Sequence, residues 1–126
     1  MNYIVLAPVV ETGWDTVLKE AKKAKIPVII ADRQVKVKDD SLYTTWVGAD
    51  FYQEGQKACS WMEQYAERNK KKTLNIVHIM GTEGATAQIG RTKALEEAAK
   101  KNGWNILEQQ TGAFTQQKAM KLWKNI

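Results

Sequence analysis

One cysteine, one histidine and three arginines are all that this chain of 126 residues holds of its most chemically specific side chains, and each scarcity excludes something. Cys59 has no second cysteine to pair with, so no intrachain disulfide is possible, and Ala58-Cys59-Ser60-Trp61 reads as the buried side of a helix. His78 stands inside the apolar run Ile76-Val77-His78-Ile79-Met80. Without cysteines or carboxylates at ligand spacing it reads as a packed strand histidine, and no metal site is expected. No set of nucleophile, base and orienting group is present, which argues against an enzyme. No apolar run approaches the roughly 20 residues needed to span a bilayer, and no charged, apolar and small-residue series marks a signal peptide.

Arginine is scarce but positive charge is not. A net charge of +5 rests on 16 lysines and only 3 arginines, and the lysines fall where helix surfaces and turns are expected, as at Lys19, Lys22, Lys23, Lys25 and again at Lys70 to Lys72. That pattern fits a solvated surface better than a phosphate-binding stripe, so no nucleic-acid partner is expected. The arginines carry more information: Arg33 ends a candidate strand, Arg91 lies in a strand-to-helix segment and Arg68 in a basic loop.

The most telling stretch is Ile26-Pro27-Val28-Ile29-Ile30-Ala31-Asp32-Arg33. Its apolar, largely β-branched run predicts a strand buried on both faces that ends in an acid beside a base. Ligands of open parallel sheets bind beyond the carboxyl ends of the strands. A carboxylate that accepts from two hydroxyls and a guanidinium that donates from a fixed fork suit the neighbouring hydroxyls of a sugar; a local ion pair is the plainer alternative.

Around that stretch the chain alternates. Tyr3 to Val9 predicts a first strand, and Thr12 with Asp15 resembles a capping box for a helix running to about Lys25. The link Gln34 to Leu42 is polar and shows no helical face, so the third strand, Tyr43 to Gly48, is expected to pair antiparallel or to leave the sheet. Asp50 caps a second helix whose buried stripe is Gly55, Ala58, Cys59, Met62, Tyr65 and Ala66, and Leu74 to Met80 forms a fourth strand. Small residues from Gly81 to Ala87 follow, at neither dinucleotide-loop nor P-loop spacing, and no cofactor is expected. Thr86 to Lys101 predicts a third helix with Arg91 on its apolar face, where a cation either has an anionic or hydroxyl-rich partner or snorkels to solvent from the helix edge. Trp104 to Gln110 is the fifth strand, and a last helix places Ala119, Met120, Trp123 and Ile126 along one side.

These landmarks resemble the periplasmic sugar-binding proteins of ABC importers, of the ribose-binding type, and within them the galactofuranose-binding proteins. The residues that carry the resemblance are Ala7-Pro8-Val9-Val10, Thr12-Gly13-Trp14, Ile26-Pro27-Val28 with Asp32-Arg33, Ala49-Asp50, Glu54-Gly55, Gly81-Thr82, Gly84-Ala85, Arg91-Thr92-Lys93, and Gly112 with Phe114-Thr115. The resemblance implies a periplasmic-binding-protein-like type I fold, three-layer α/β/α with mostly parallel sheets in flavodoxin-like lobes. It implies that residues 1–48 are the C-terminal part of a first lobe with its hinge strand, and residues 49–126 the N-terminal part of a second. Asp32 and Arg33 from one lobe and Arg91 and Phe114 from the other would then bind a monosaccharide, with Trp14 and Asp50 as further members, in a non-catalytic protein that works outside the cytoplasm with a permease. Such proteins are about twice this length or more, so the chain reads as truncated. Its uncovered sheet faces would favour a homodimer. Two other classes share the fold: the effector domain of a LacI-like transcription regulator and a free-standing flavodoxin-like interaction domain.

Overall fold

Runs of β-branched residues alternating with amphipathic segments fold into strands alternating with helices. In the computed structural model, which describes residues 1–126, the order is β1 (Ile4–Leu6), α1 (Asp15–Lys23), β2 (Val28–Ala31), a 3-10 turn (Asp40–Leu42), β3 (Thr45–Val47), α2 (Phe51–Arg68), β4 (Asn75–Met80), α3 (Thr86–Asn102), β5 (Asn105–Thr111) and α4 (Gln116–Lys124). The architecture is α/β, and every strand pair is parallel. The chain divides into two units, one of Met1–Ala49 with Gly84–Thr86 and the other of Asp50–Glu83 with Ala87–Ile126.

In the first unit β2 is the central strand, flanked by β1 and β3. Alternation along the strands sorts their side chains. Val28 and Ile30 form a core with Leu18 and Ala21 of α1, and Ile4, Leu6 and Trp46 pack against it. Val5 and Val47 belong to the opposite face and are exposed, while Ile29 and Ala31 are half-buried. The expectation that β2 is buried on both faces is thereby corrected. One helical layer is present in this unit, and it covers one face.

The third strand also departs from expectation. β3 lies parallel to β2 in the same sheet, with Ile30 opposite Trp46 and Ala31 opposite Val47. The link between them lacks a helical face, yet it buries Val35 and Leu42 in the core and packs Val37 against it. Three bonds fix its course: Ser41 N donates to Asp39 Oδ1 (2.8 Å), Lys38 N to Asp15 Oδ1 (3.1 Å) and Lys36 N to the Glu11 carbonyl (2.6 Å). Separate apolar side chains and a short turn therefore do what a crossover helix ordinarily does. Because Asp15 is engaged by Lys38, the capping box expected of Thr12 and Asp15 does not form, and α1 starts without a side-chain cap.

In the second unit β4 pairs β5, with a bulge between Ile76 and Val77. Cys59, Leu95, Ala99 and Trp104 are its core, joined by Met62, Leu74, Ile76 and Ile106. Helices α2 and α3 meet on glycine. A Cβ at Gly55 would lie 2.7 Å from the Ala94 Cβ, and one at Gly90 would lie 2.7 Å from the Tyr52 amide nitrogen. Tyr65 and Ala58, expected on the buried stripe of α2, are exposed, and no residue of α4 is buried. Three helices end alike: Lys25, Lys70 and Gly103 take left-handed φ values of 58°, 52° and 66°. The amides that follow, of Ile26, Lys71 and Trp104, donate back to Ala21, Ala66 and Ala99 at 3.0, 2.9 and 3.0 Å. This is the Schellman ending.

Candidate ligand-binding site

Parallel pairing places all the strand carboxyl ends of a sheet along one edge, where the loops are free to meet a ligand. In the first unit that edge carries Asp32 and Arg33. Asp32 has a left-handed φ of 67°, which aspartate tolerates better than most residues. Its amide donates to the Val47 carbonyl (2.9 Å), and its own carbonyl accepts from Trp46 Nε1 (3.1 Å). A Cβ at Gly48 would lie 2.1 Å from that same carbonyl oxygen, so glycine is required where β3 ends. Arg33 Nη1 donates to the Val9 carbonyl (3.2 Å), and its Nε lies 3.9 Å from Asp32 Oδ2. Asp32 is thus fastened to the end of β3, and Arg33 to the loop that follows β1. Trp14 packs against the core, and its Nε1 donates to the Val10 carbonyl (2.8 Å), so here it braces the loop after β1.

In the second unit the corresponding edge opens into a cleft of about 340 Å³, lined by Met80, Gly81, Gln88, Arg91, Phe114 and Gln116 among others. Its size lies at the low end of small-molecule sites, which run from roughly 300 to 1,000 Å³. Phe114 reaches it through two successive non-glycine residues in left-handed backbone, Ala113 at φ 52° and Phe114 at φ 54°. Such a strained turn persists only where its surroundings over-determine it. Here Ala113 N donates to Thr111 Oγ1 (3.0 Å), the Thr111 hydroxyl donates to the Gly81 carbonyl (2.6 Å), and Thr115 N donates to the Gly112 carbonyl (2.9 Å). The ring, 47% exposed as a residue, rests on Gly81, where a Cβ would meet its Cζ at 2.0 Å.

Arg91 has the partner that its place on α3 demands. Its Nε and Nη2 both donate to Glu54 Oε2, at 3.2 and 2.8 Å, and its guanidinium carbon lies 5.2 Å from the centre of the Phe51 ring. The side chains of this pair are 44% and 42% exposed, so the bridge is worth no more than about 1 kcal/mol to stability. Its effect is to hold a guanidinium in one orientation. Asp50 caps α2, accepting from Gln53 N at 2.9 Å, and does not line the cleft.

Glu54 and Gln88 were not picked out by residue chemistry. Gln88 Nε2 donates to Thr92 Oγ1 (3.0 Å) and contacts Met80 Sδ (3.6 Å). The signal that could have found Glu54 is a coincidence of neighbours: Glu54 precedes Gly55 and Arg91 follows Gly90, the two glycines on which the helices touch. No group of three or more histidines, cysteines or carboxylates gathers to hold a metal ion. An aromatic ring, an anchored guanidinium and amide side chains around a small cleft are suited to binding a polar ring compound.

A profile of the periplasmic binding protein domain matches residues 1–126, and the chain belongs to that family. The galactofuranose-binding protein YtfQ of Escherichia coli is 44% identical over 127 residues, covering 99% of this chain and 39% of that protein. Among solved structures, the binding component of the arabinose ABC transporter of Shewanella sp. ANA-3, bound to α- and β-L-arabinofuranose, matches with a TM-score of 0.90 and 41% identity over 99% of this chain and 40% of its own. A Mycobacterium smegmatis protein in complex with β-D-fucofuranose matches with a TM-score of 0.92 and 39% identity, over 99% and 41% respectively. The chain spans about 40% of the length of these relatives.

Proposed function

We propose that this chain carries the ligand-binding residues of an extracytoplasmic receptor for a monosaccharide, one that delivers its sugar to an ABC-type permease. The observation that carries this reading is the second unit's cleft, where Phe114 offers an aromatic face beside a guanidinium fixed by Glu54. A sugar ring has an apolar C–H surface that packs on an aromatic ring and a rim of hydroxyls that accept from guanidinium and donate to carboxylate. Arg91 and Phe114 are the ligand residues of the second unit, and Asp32 and Arg33 those of the first. Trp14 braces the loop after β1, and Asp50 caps α2.

The relatives' names point to the ligand class. One is named for galactofuranose, and two were solved with arabinofuranose and fucofuranose. We therefore assign a furanose monosaccharide as the ligand. We also assign a homodimer as the solution state, because Val5 and Val47 leave an apolar sheet face exposed in the first unit. Calorimetric titration with a panel of pentoses and hexoses that includes arabinose and galactose tests the function. Saturable one-site binding of a subset of the panel is expected, and absence of heat from every sugar overturns the reading.

A further inference from the structure

Helix α2 presents two large aromatic rings to solvent. Trp61 is 63% exposed and Tyr65 40%, and the rings stack with centroids 5.5 Å apart and planes 17° from parallel. An exposed aromatic pair on an amphipathic helix calls for an explanation, as a scattered surface leucine does not. Its surroundings are basic. Lys57, Trp61, Tyr65 and Arg68 recur at helical spacing along the outer side of α2, and the exposed Lys70, Lys71 and Lys72 continue past its end. The segment's two carboxylates, Glu63 and Glu67, fall on the flank of the helix, and Glu63 is held by Lys101 (3.2 Å) and Asn102 (2.7 Å).

We propose that this stripe, from Lys57 to Lys72, is a docking surface for an anionic lipid bilayer. The charge selects against a second copy of the chain, because α2 packed on α2 would face Lys57 and Arg68 with like charges. It favours a negative partner instead. The outer side of a helix, spanning about 16 Å from Lys57 to Arg68, fits a flat surface and offers no groove to track a nucleic-acid strand. Tryptophan and tyrosine rings settle at the headgroup level of a bilayer, with an apolar body inward and a polar atom in water. Lysines near an anionic leaflet add attraction that falls off within a Debye length. Docking by this face leaves the cleft around Phe114 free, since no residue of the stripe lines it.

The test is co-sedimentation of the full chain with vesicles of phosphatidylcholine containing phosphatidylglycerol, against vesicles of phosphatidylcholine alone, at low and high salt. Binding is expected only to the anionic vesicles and only at low salt, with a blue shift of tryptophan emission that is absent in Trp61→Phe. Replacing Lys70, Lys71 and Lys72 together by glutamine should lower the partition coefficient roughly a hundredfold, from about 1 kcal/mol per lysine at an anionic surface. Trp61→Ala with Tyr65→Ala should lower it roughly tenfold, and since every substituted residue is exposed, circular dichroism should be unchanged. If the aromatic variant unfolds, the lysine variant decides alone. The proposal is overturned if the parent does not sediment with anionic vesicles at low salt, if the lysine variant binds as the parent does, or if a single-stranded oligonucleotide displaces the vesicles.

Discussion

Arg91 and Lys93 lie two positions apart on α3 and do different work. The Arg91 guanidinium is bonded twice to Glu54 and lines the cleft, whereas Lys93 Nζ lies 5.2 Å from the centre of the Tyr52 ring and lines no part of it. Arg91→Ala is therefore expected to weaken sugar binding by about 1–3 kcal/mol, the range for a buried partner left unsatisfied. Lys93→Ala should leave affinity unchanged, and equal effects in calorimetry would contradict the assignment. Gly81→Ala probes the second contact: a Cβ there would meet the Phe114 ring at 2.0 Å, so the melting temperature should hold while affinity falls about tenfold, or about 1.4 kcal/mol. At this scale the place of Asp32-Arg33 at a strand end could be read directly, whereas Arg91, expected on an apolar face, is exposed and paired with Glu54. Glu54 could not be read directly, because its role depends on a helix crossing rather than on its neighbours in the chain. The left-handed turn at Ala113 and Phe114 was likewise hidden, since neither residue signals it.

Helix endings and helix crossings can be tested separately. Lys25 ends α1 at φ 58°, a conformation in which glycine pays no steric penalty, so Lys25→Gly should raise stability by about 1 kcal/mol in chemical denaturation. Across the α2–α3 contact, the hydrogen bond from Asn102, then that from Lys101, holds the Glu63 carboxyl below its usual titration range. A depressed folded-state value means that the contribution is present above the unfolded carboxylate value and is lost as pH falls through the folded one. Because Glu63 stays partly exposed, that contribution is less than about 1 kcal/mol. Thermal melts from pH 7 to pH 3 should show Glu63→Gln as slightly less stable than the parent at pH 7 and indistinguishable from it in acid; a constant gap across the range would contradict this. The elements α2 and β4 were legible because a helical stripe or a strand run announces them. The direction of β3 was not. The cover over its link comes from two isolated residues, Val35 and Leu42, and two apolar residues in a polar stretch make no period.

For the whole molecule, the order of landmarks was enough to place the chain in its family, and the chain spans about 40% of the length of the relatives it matches. The third strand pairs in register within its sheet, so the proposal of a homodimer rests on the open face that carries Val5 and Val47. Light scattering should give twice 14.3 kDa, and Val5→Lys with Val47→Lys should return it to the monomer mass; a parent already at 14.3 kDa would contradict the dimer. The most direct test of sugar binding itself is a ¹H–¹⁵N correlation spectrum recorded while arabinose is added. The account predicts saturable shifts at the amides of Asp32, Gly81, Gly112 and Ala113 and at the Arg91 side-chain Nε–H, with Lys57, Trp61 and Lys93 unmoved. Shifts confined to residues away from both sheet edges, or no shifts with any sugar of the panel, would contradict it.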